Sequence, residues 1–398
     1  MTDFAPGALE GLKVIDLTWA YSGPFASMLM GDYGADVIKI ERLSGDRSRG
    51  WEPIIKGKSI YFDCANRNKR SIAIDLKSRE GVEIVREMVK KTDIVLENFR
   101  PGVAERLGLD YNKLSEINPR LIMASISGYG QTGERRFRGA MSHMAEAESG
   151  FLYVNGYPNN PPVGSGVPLG DSVAGLFAVC SVMMALYERE RTGKGQYIDV
   201  AMTDSMVYMM ATVLSASSIM GENIERKGNR EAACYPYDLF KAKDGYIFLG
   251  FTDMENWEPF ARIIGMPHLT EDERFKTNLK RIENADELYE IINAWCEERT
   301  ADEIMTLFEE NKQLSALCKS PLQVVSDGEL IERRAVVKGS EELFGDYMMQ
   351  GFPFIMSRTP GSLRRPAPDI GEHTRQILSE TGYSKGTIDE FIQRKIVL

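Results

Sequence analysis

"GLKVIDLT", residues 11 to 18, is a compact run of Val, Ile and Leu, and "ADVIKIER", residues 35 to 42, repeats the pattern. Aliphatic runs of this length, bounded by Gly, Asp or Arg, read as strands. "SIAIDLKS" (71 to 78), "TDIVLENF" (92 to 99) and "LIMASISG" (121 to 128) extend the series. Between the runs the period changes. In "SREGVEIVREMVKK" Val82, Val85 and Val89 recur near helical spacing, Ser78 stands where an N-cap belongs, and Lys90 and Lys91 suit the negative C-terminal end. Strands alternating with helices predict an α/β fold with a parallel, doubly wound sheet. Such sheets bind ligands beyond the carboxyl ends of their strands, which directs attention to residues 18–24, 41–49 and 98–102.

Further along, "SVAGLFAVCSVMMALY" (172 to 187) is too short for the roughly 20 residues of a membrane span and reads as a buried core helix. "DSMVYMMATVLSASSIMG" (204 to 221) continues the helical middle, its methionines acting as core filler. Composition shifts after "GENIERKGNREAA". "YPYDLFKAKDGYIFLGF" predicts a hairpin turning at 243–245, with amphipathic helices to about residue 310. The expected organisation is a large domain over 1–221, a smaller α+β domain over 222–330, and a C-terminal segment, 331–398, whose stretch from 352 to 378 is rich in Pro and Gly ahead of the final helices.

The chain has 398 residues and a formal charge of -10, which argues against coating nucleic acid or anionic lipid. "MTDFAPGALEGLKV" lacks the basic start and apolar run of a secretory signal, so the expected location is cytoplasmic. Five scattered cysteines without CxxC spacing fit reduced thiols, and no metal site is expected. "GSGVPLG" has G-x-G-x-x-x-G spacing broken by Pro168, and "DLTWAYSGP" also lacks the dinucleotide fingerprint, so no nicotinamide or flavin cofactor is expected. Basic residues nonetheless gather near strand ends: Arg42, Arg67 with Lys69 and Arg70, Arg100 with Arg106, and Arg135, Arg136 and Arg138. They are either a solvated surface or a cradle for an anionic ligand crossing several strands.

Asp171, in "GSGVPLGDSVAG" (164 to 175), precedes the apolar helix. Its position suits an N-cap, a phosphate or metal holder, or a covalent nucleophile. Glu146 and Glu148 in "AEAESG" read first as surface charges and second as groups that tune selection of a polar or cationic acid.

Ordered along the chain, "VIDLTWAYSGP", "GADVIKIE", "NRNKRSIAIDLK", "ENFRPG", "NPRLIMASISGYGQTG", "LGDSVAG", "RTGKGQYIDVAM" and "TPGSLRRPAPDIGEHT" resemble the class III CoA-transferases, which include formyl-CoA:oxalate, carnitine and bile-acid CoA-transferases. The resemblance implies transfer of CoA from an acyl-CoA to a free carboxylic acid through an aspartyl intermediate, with the nucleophile on Asp171. It implies CoA contacts at Ala20, Tyr21, Arg42, Ile74, Asn98 and Arg106, with Lys69, Arg70 and Arg138 as further candidates. It also implies a Rossmann-like large domain to which the C-terminal segment returns, an interlocked homodimer, and acyl-CoA as substrate with no tightly bound cofactor. The alternatives are a 2-methylacyl-CoA racemase of the same fold and a non-catalytic CoA-binding scaffold. The racemase branch carries a histidine where this chain has Met141, with His143 two residues away.

Overall fold

The computed structural model describes residues 6–251, 254–341, 343 and 345–398. Six strands form the main sheet: β1 (Lys13–Asp16), β2 (Asp36–Glu41), β3 (Lys69–Ala73), β4 (Ile94–Glu97), β5 (Ile122–Ser127) and β6 (Tyr197–Ala201). They lie in the order β3-β2-β1-β4-β5-β6, every neighbouring pair parallel. Successive side chains point to opposite faces, so Val14, Val37 and Ile94 enter one core cluster while Ile15, Ile38 and Val95 enter the other. Burial on both faces explains why the runs are continuous rather than alternating. Each such aliphatic side chain contributes about 1.5–3 kcal/mol.

Four helices on this frame matter for the site: α1 (Ser22–Asp32), α2 (Arg79–Val89), α3 (Ser142–Glu148) and α4 (Leu169–Thr192). Ser78 caps α2, accepting the Gly81 N–H at 3.0 Å. The apolar helix is longer than its uncharged run, and by length and composition alone α4 is long enough to cross a membrane. One stripe of it, Val173, Ala174, Ala178, Val182 and Ala185, packs into the core with Val14 and Ala26. At Gly175 a Cβ would meet Phe25 and the Ser22 carbonyl at 2.8 Å, so glycine is what lets α1 and α4 touch. The opposite face leaves Met184 and Tyr187 about 70% exposed.

Two differences from the sequence expectation have physical causes. β3 starts at Lys69 rather than 71, because Lys69 is paired with Asp16 and Arg70 with Asp36, and paired charges are tolerated inside a strand. β6 was not anticipated, because it is an edge strand whose Tyr197 and Asp199 are exposed and which therefore lacks an aliphatic run.

The chain divides into two compact units. The first comprises the residues up to Phe151 together with Ser165–Thr212 and Asp327–Leu398, and the second comprises Leu152–Gly164 with Val213–Ser326. The breaks thus fall after 212 and 326 instead of 221 and 330, and residues 152–164 count with the second unit. Within the first unit the C-terminal stretch runs along β3: Asn68 N–H donates to Arg365 O at 3.1 Å, His373 N–H to Ser71 O at 2.9 Å, and Ile74 is bridged to Val397. In the second unit β7 (Tyr237–Lys241) and β8 (Tyr246–Gly250) form the expected hairpin, with β9 (Ser315–Leu317) antiparallel on the far side of β8. Phe240, Ile247, Phe260, Ile292 and Phe308 form its own core.

Candidate active site

Strand order reverses between β1 and β4, and in a parallel sheet a crevice opens at the carboxyl ends of such a pair. Here Asn98, just after β4, clasps the chain leaving β1. Its Oδ1 accepts the Trp19 N–H at 3.0 Å and its Nδ2 donates to Trp19 O at 2.7 Å. Ala20 follows in the left-handed region at φ 66°, a conformation that L residues rarely adopt, and Tyr21 is the N-cap of α1. Ser22 and Gly23, which open α1, have no intrahelical partner for their N–H groups.

Asp171 meets this turn at Ser22, which through its hydroxyl and its backbone is the polar group that favours the charged form of the carboxylate. It is not the N-cap of its own helix: α4 begins at Leu169, Pro168 holds the cap position, and Asp171 lies within the first turn. Burial pushes its carboxyl up to about 6 and the Glu146 charge adds to the rise, against the Ser22 hydrogen bonds and His143. No basic side chain pairs with it among the described residues. Tyr21 and Tyr61 both lie within the reach of its charge, their rings 5.7 Å apart and edge-on, and Trp51 continues the aromatic wall 5.1 Å from Tyr61. Burial first, then Cys64 and Asp171, push the Tyr21 phenol up to about 12, so it stays a neutral donor.

Glu146 is fully buried, which corrects the reading of it as a surface charge. Its Oε1 accepts from Ser142 Oγ at 2.8 Å and from Gly170 N at 3.3 Å, and its Oε2 accepts from Ser165 Oγ at 2.9 Å. A Cβ on Gly170 would meet the Ser142 carbonyl at 2.8 Å, so the glycine is required by this close approach. Ser22, Ser142 and Ser165 were not singled out from the sequence. The only signal was the four-residue spacing of Ser142 and Glu146, which places them on one helix face. Glu148 does lie nearer the surface, collecting Arg138 at 2.8 Å, Arg135 at 3.2 Å and the Tyr129 hydroxyl at 2.9 Å.

The basic candidates separate into two groups. Arg42, following β2, and Arg106, after the 101–102 turn, are exposed and form no side-chain ion pair among the described residues. Arg138 is exposed but held by Glu148. Lys69 is wholly buried, and its three ammonium donors go to Asp16 at 2.9 Å, Asn66 at 2.7 Å and Pro24 O at 2.9 Å. Arg70 is closed off by Asp36 and Glu380, and Ile74 is fully buried. The side chains of Lys69, Arg70 and Ile74 are thus engaged within the fold, unlike those of Arg42 and Arg106.

The pattern of CoA-transferase family III matches residues 9–374. A succinyl-CoA:glutarate CoA-transferase from Mus musculus is 35% identical, covering 96% of this chain and 89% of its own. A succinyl-CoA–D-citramalate CoA-transferase from Chloroflexus aurantiacus is 33% identical, covering 94% of each. The crystal structure of a CAIB/BAIF family protein from Brucella suis superimposes with a TM-score of 0.86 at 31% identity, over 94% of this chain and 100% of that one. The chain belongs to CoA-transferase family III, and it is a CoA-transferase. These relatives do not favour the racemase alternative, and His143 has its Nε2 3.1 Å from the Ser165 carbonyl.

Proposed function

We propose that the protein moves CoA from an acyl-CoA to a free carboxylic acid by covalent catalysis on Asp171. The single observation that carries this reading is a partly buried carboxylate that no Lys or Arg among the described residues pairs with, beside the first turn of α1 at the switch-point crevice. Asp171 attacks the donor thioester carbonyl, forming a mixed anhydride and releasing CoA thiolate. The thiolate attacks the aspartyl carbonyl, which frees the donor acid and leaves an aspartyl-CoA thioester. The acceptor carboxylate attacks that thioester and expels CoA thiolate, and the thiolate then takes the new acyl group and restores Asp171. Every bond broken is matched by one formed, and no electrons change hands.

Arg42 and Arg106 are the proposed partners of the CoA phosphates, because guanidinium forks match phosphate oxygens and these two are exposed and form no ion pair among the described residues. Ala20, Tyr21 and Asn98 shape the turn against which the thioester end lies, and Arg138 borders the site. The names of the two relatives above make succinyl-CoA the first donor to test and small dicarboxylic acids the first acceptors. The exposed apolar face of α4, including Met184 and Tyr187, supports burial against a second copy, in keeping with the interlocked homodimer of the family resemblance. Incubation with succinyl-CoA followed by hydroxylamine is expected to leave a hydroxamate on Asp171, seen as a peptide mass change, and Asp171→Asn is expected to abolish both the adduct and transfer. An adduct on another residue, or full transfer by the folded variant, refutes the assignment.

A further inference from the structure

We propose that Glu146 is a positioning residue for CoA transfer, holding the Gly170–Asp171 turn of α4 through the hydroxyl of Ser142; the proposal rests on reading Asp171 as the nucleophile. The first-turn N–H groups of Gly170 and Asp171 converge on Ser142 Oγ at 2.8 and 3.3 Å. A hydroxyl has one proton, and this one accepts from two amides, so its proton goes to Glu146 Oε1 at 2.8 Å. The other Glu146 oxygen lies 2.9 Å from Ser165 Oγ, on the loop that leads into α4, and shares that hydroxyl's single proton with the Val167 carbonyl at 2.8 Å. One buried carboxylate thus ties α3, the approach loop and the start of α4 into a single unit.

This clamp has two effects on the nucleophile. It occupies the amides of Gly170 and Asp171, so the Asp171 carboxylate turns away from its own helix and toward Ser22. It also sets a second negative charge at the positive end of α4, which keeps that end from over-stabilising the Asp171 anion. A neutral Gln would make nearly the same hydrogen bonds at lower cost of burial, so the retained charge is the feature that needs a role. The titratable groups facing Asp171 are Tyr21 at the start of α1, Tyr61 on the 60–66 helix, and His143 and Glu146 on α3. Among them Glu146 is the permanent anion.

Ser142→Ala and Glu146→Gln test this with steady-state kinetics on succinyl-CoA, a kcat/KM pH profile, thermal unfolding and the hydroxylamine trap. Ser142→Ala is expected to lower kcat on the order of 10- to 100-fold with KM for the acyl-CoA unchanged, because a misaimed nucleophile loses reaction and not binding. Glu146→Gln is expected to keep its melting temperature and to shift the acid limb of the profile to lower pH, since one anion next to Asp171 is gone. Wild-type kcat and an unmoved limb in both variants overturn the proposal. So does a loss of kcat that only follows a loss of melting temperature while the limb stays in place. If Glu146→Gln does not fold, an unchanged kcat in Ser142→Ala is sufficient to overturn it. Failure of the wild-type protein to form a hydroxamate at Asp171 defeats the parent reading instead, whereas an adduct formed at the wild-type rate in both variants defeats this one alone.

Discussion

Asp16 and Asp171 both interact with α1, Asp16 through Ser27 and Asp171 through Ser22, yet their surroundings are opposite. Asp16, at the end of β1, is fully buried and receives Lys69 Nζ at 2.9 Å, Ser27 Oγ at 2.6 Å and Thr18 N at 2.9 Å. Burial alone would raise its pKa, but Lys69 and Lys39 together with the two hydroxyls hold it well below the usual carboxylate range. Lys39 in turn pairs with Asp46 at 3.0 Å, and Arg49 with Glu41 at 2.7 Å. Beneath the first turn, then, charge answers charge. Above it, Asp171 has Ser22 and His143 but no paired Lys or Arg to favour its anion, and Arg42 and Arg106 form no ion pair, among the described residues. Paired charges fasten β1, β3 and α1 together. Unpaired ones at the rim are held ready for a ligand to complete them.

The largest effect separating the two regions is expected from Asp16→Asn. It leaves Lys69 and Lys39 buried with one fewer counter-charge, and breaking a buried pair from one side costs about 3–5 kcal/mol. A urea titration is expected to show a clear drop in midpoint. The sign with pH follows from the depressed pKa: the Asp16 contribution is present above the ordinary carboxylate value of 3.8 and is lost only as pH falls through its lowered folded value. A midpoint equal to that of the wild type would mean that the cluster does not fasten the sheet.

Next in size is the contrast between free and engaged arginines. Arg42→Ala and Arg106→Ala are each expected to weaken use of every CoA thioester by about 1.5–3 kcal/mol, the value of a charged hydrogen bond, with the urea midpoint unchanged. Arg70→Ala should do the reverse, lowering the midpoint and sparing KM, because its guanidinium closes on Asp36 and Glu380. Measuring KM for acetyl-CoA and succinyl-CoA alongside unfolding tests both halves. Equal KM values in Arg42→Ala and the wild type would remove Arg42 from the site.

That contrast also marks how far the sequence could be read. The parallel sheet was legible because five of its strands are buried on both faces and lie in stretches rich in Val, Ile and Leu, whereas β6, exposed at the edge, carries no such mark. Ser78 declared itself as a cap because capping is local. The basic letters of 67 to 70 did not declare their partners: Asp32 for Arg67, Asp16 for Lys69, and Asp36 and Glu380 for Arg70 lie from 34 to 310 residues away. A charge that a strand buries against a distant acid looks, in a linear sequence, the same as one left open to a phosphate. Glu146 misled for the same reason, since Ser142 is near in sequence but Ser165 and Gly170 come from beyond the next loop.

The smallest effect is also the sharpest test of what Asp171 is for. Its carboxyl is raised from 3.8 to about 6 on folding, so between those pH values the folded chain binds the proton more tightly than the unfolded one. Stability therefore falls as pH rises through that window and remains lower above it. The full shift corresponds to about 3 kcal/mol, and water reaching a partly exposed carboxyl reduces the expected cost to about 1–2 kcal/mol. Asparagine carries no charge to desolvate and can still accept from Ser22. Asp171→Asn is accordingly expected to be more stable than the wild type at pH 7 by that amount and to match it near pH 4, where the wild-type carboxyl is itself largely protonated. Urea midpoints at the two pH values decide this. A variant that gains stability while losing transfer identifies a residue kept for reaction at the expense of the fold, as expected of an activated nucleophile. A variant less stable at pH 7 would place Asp171 beside Asp16, as one more carboxylate that the fold needs charged.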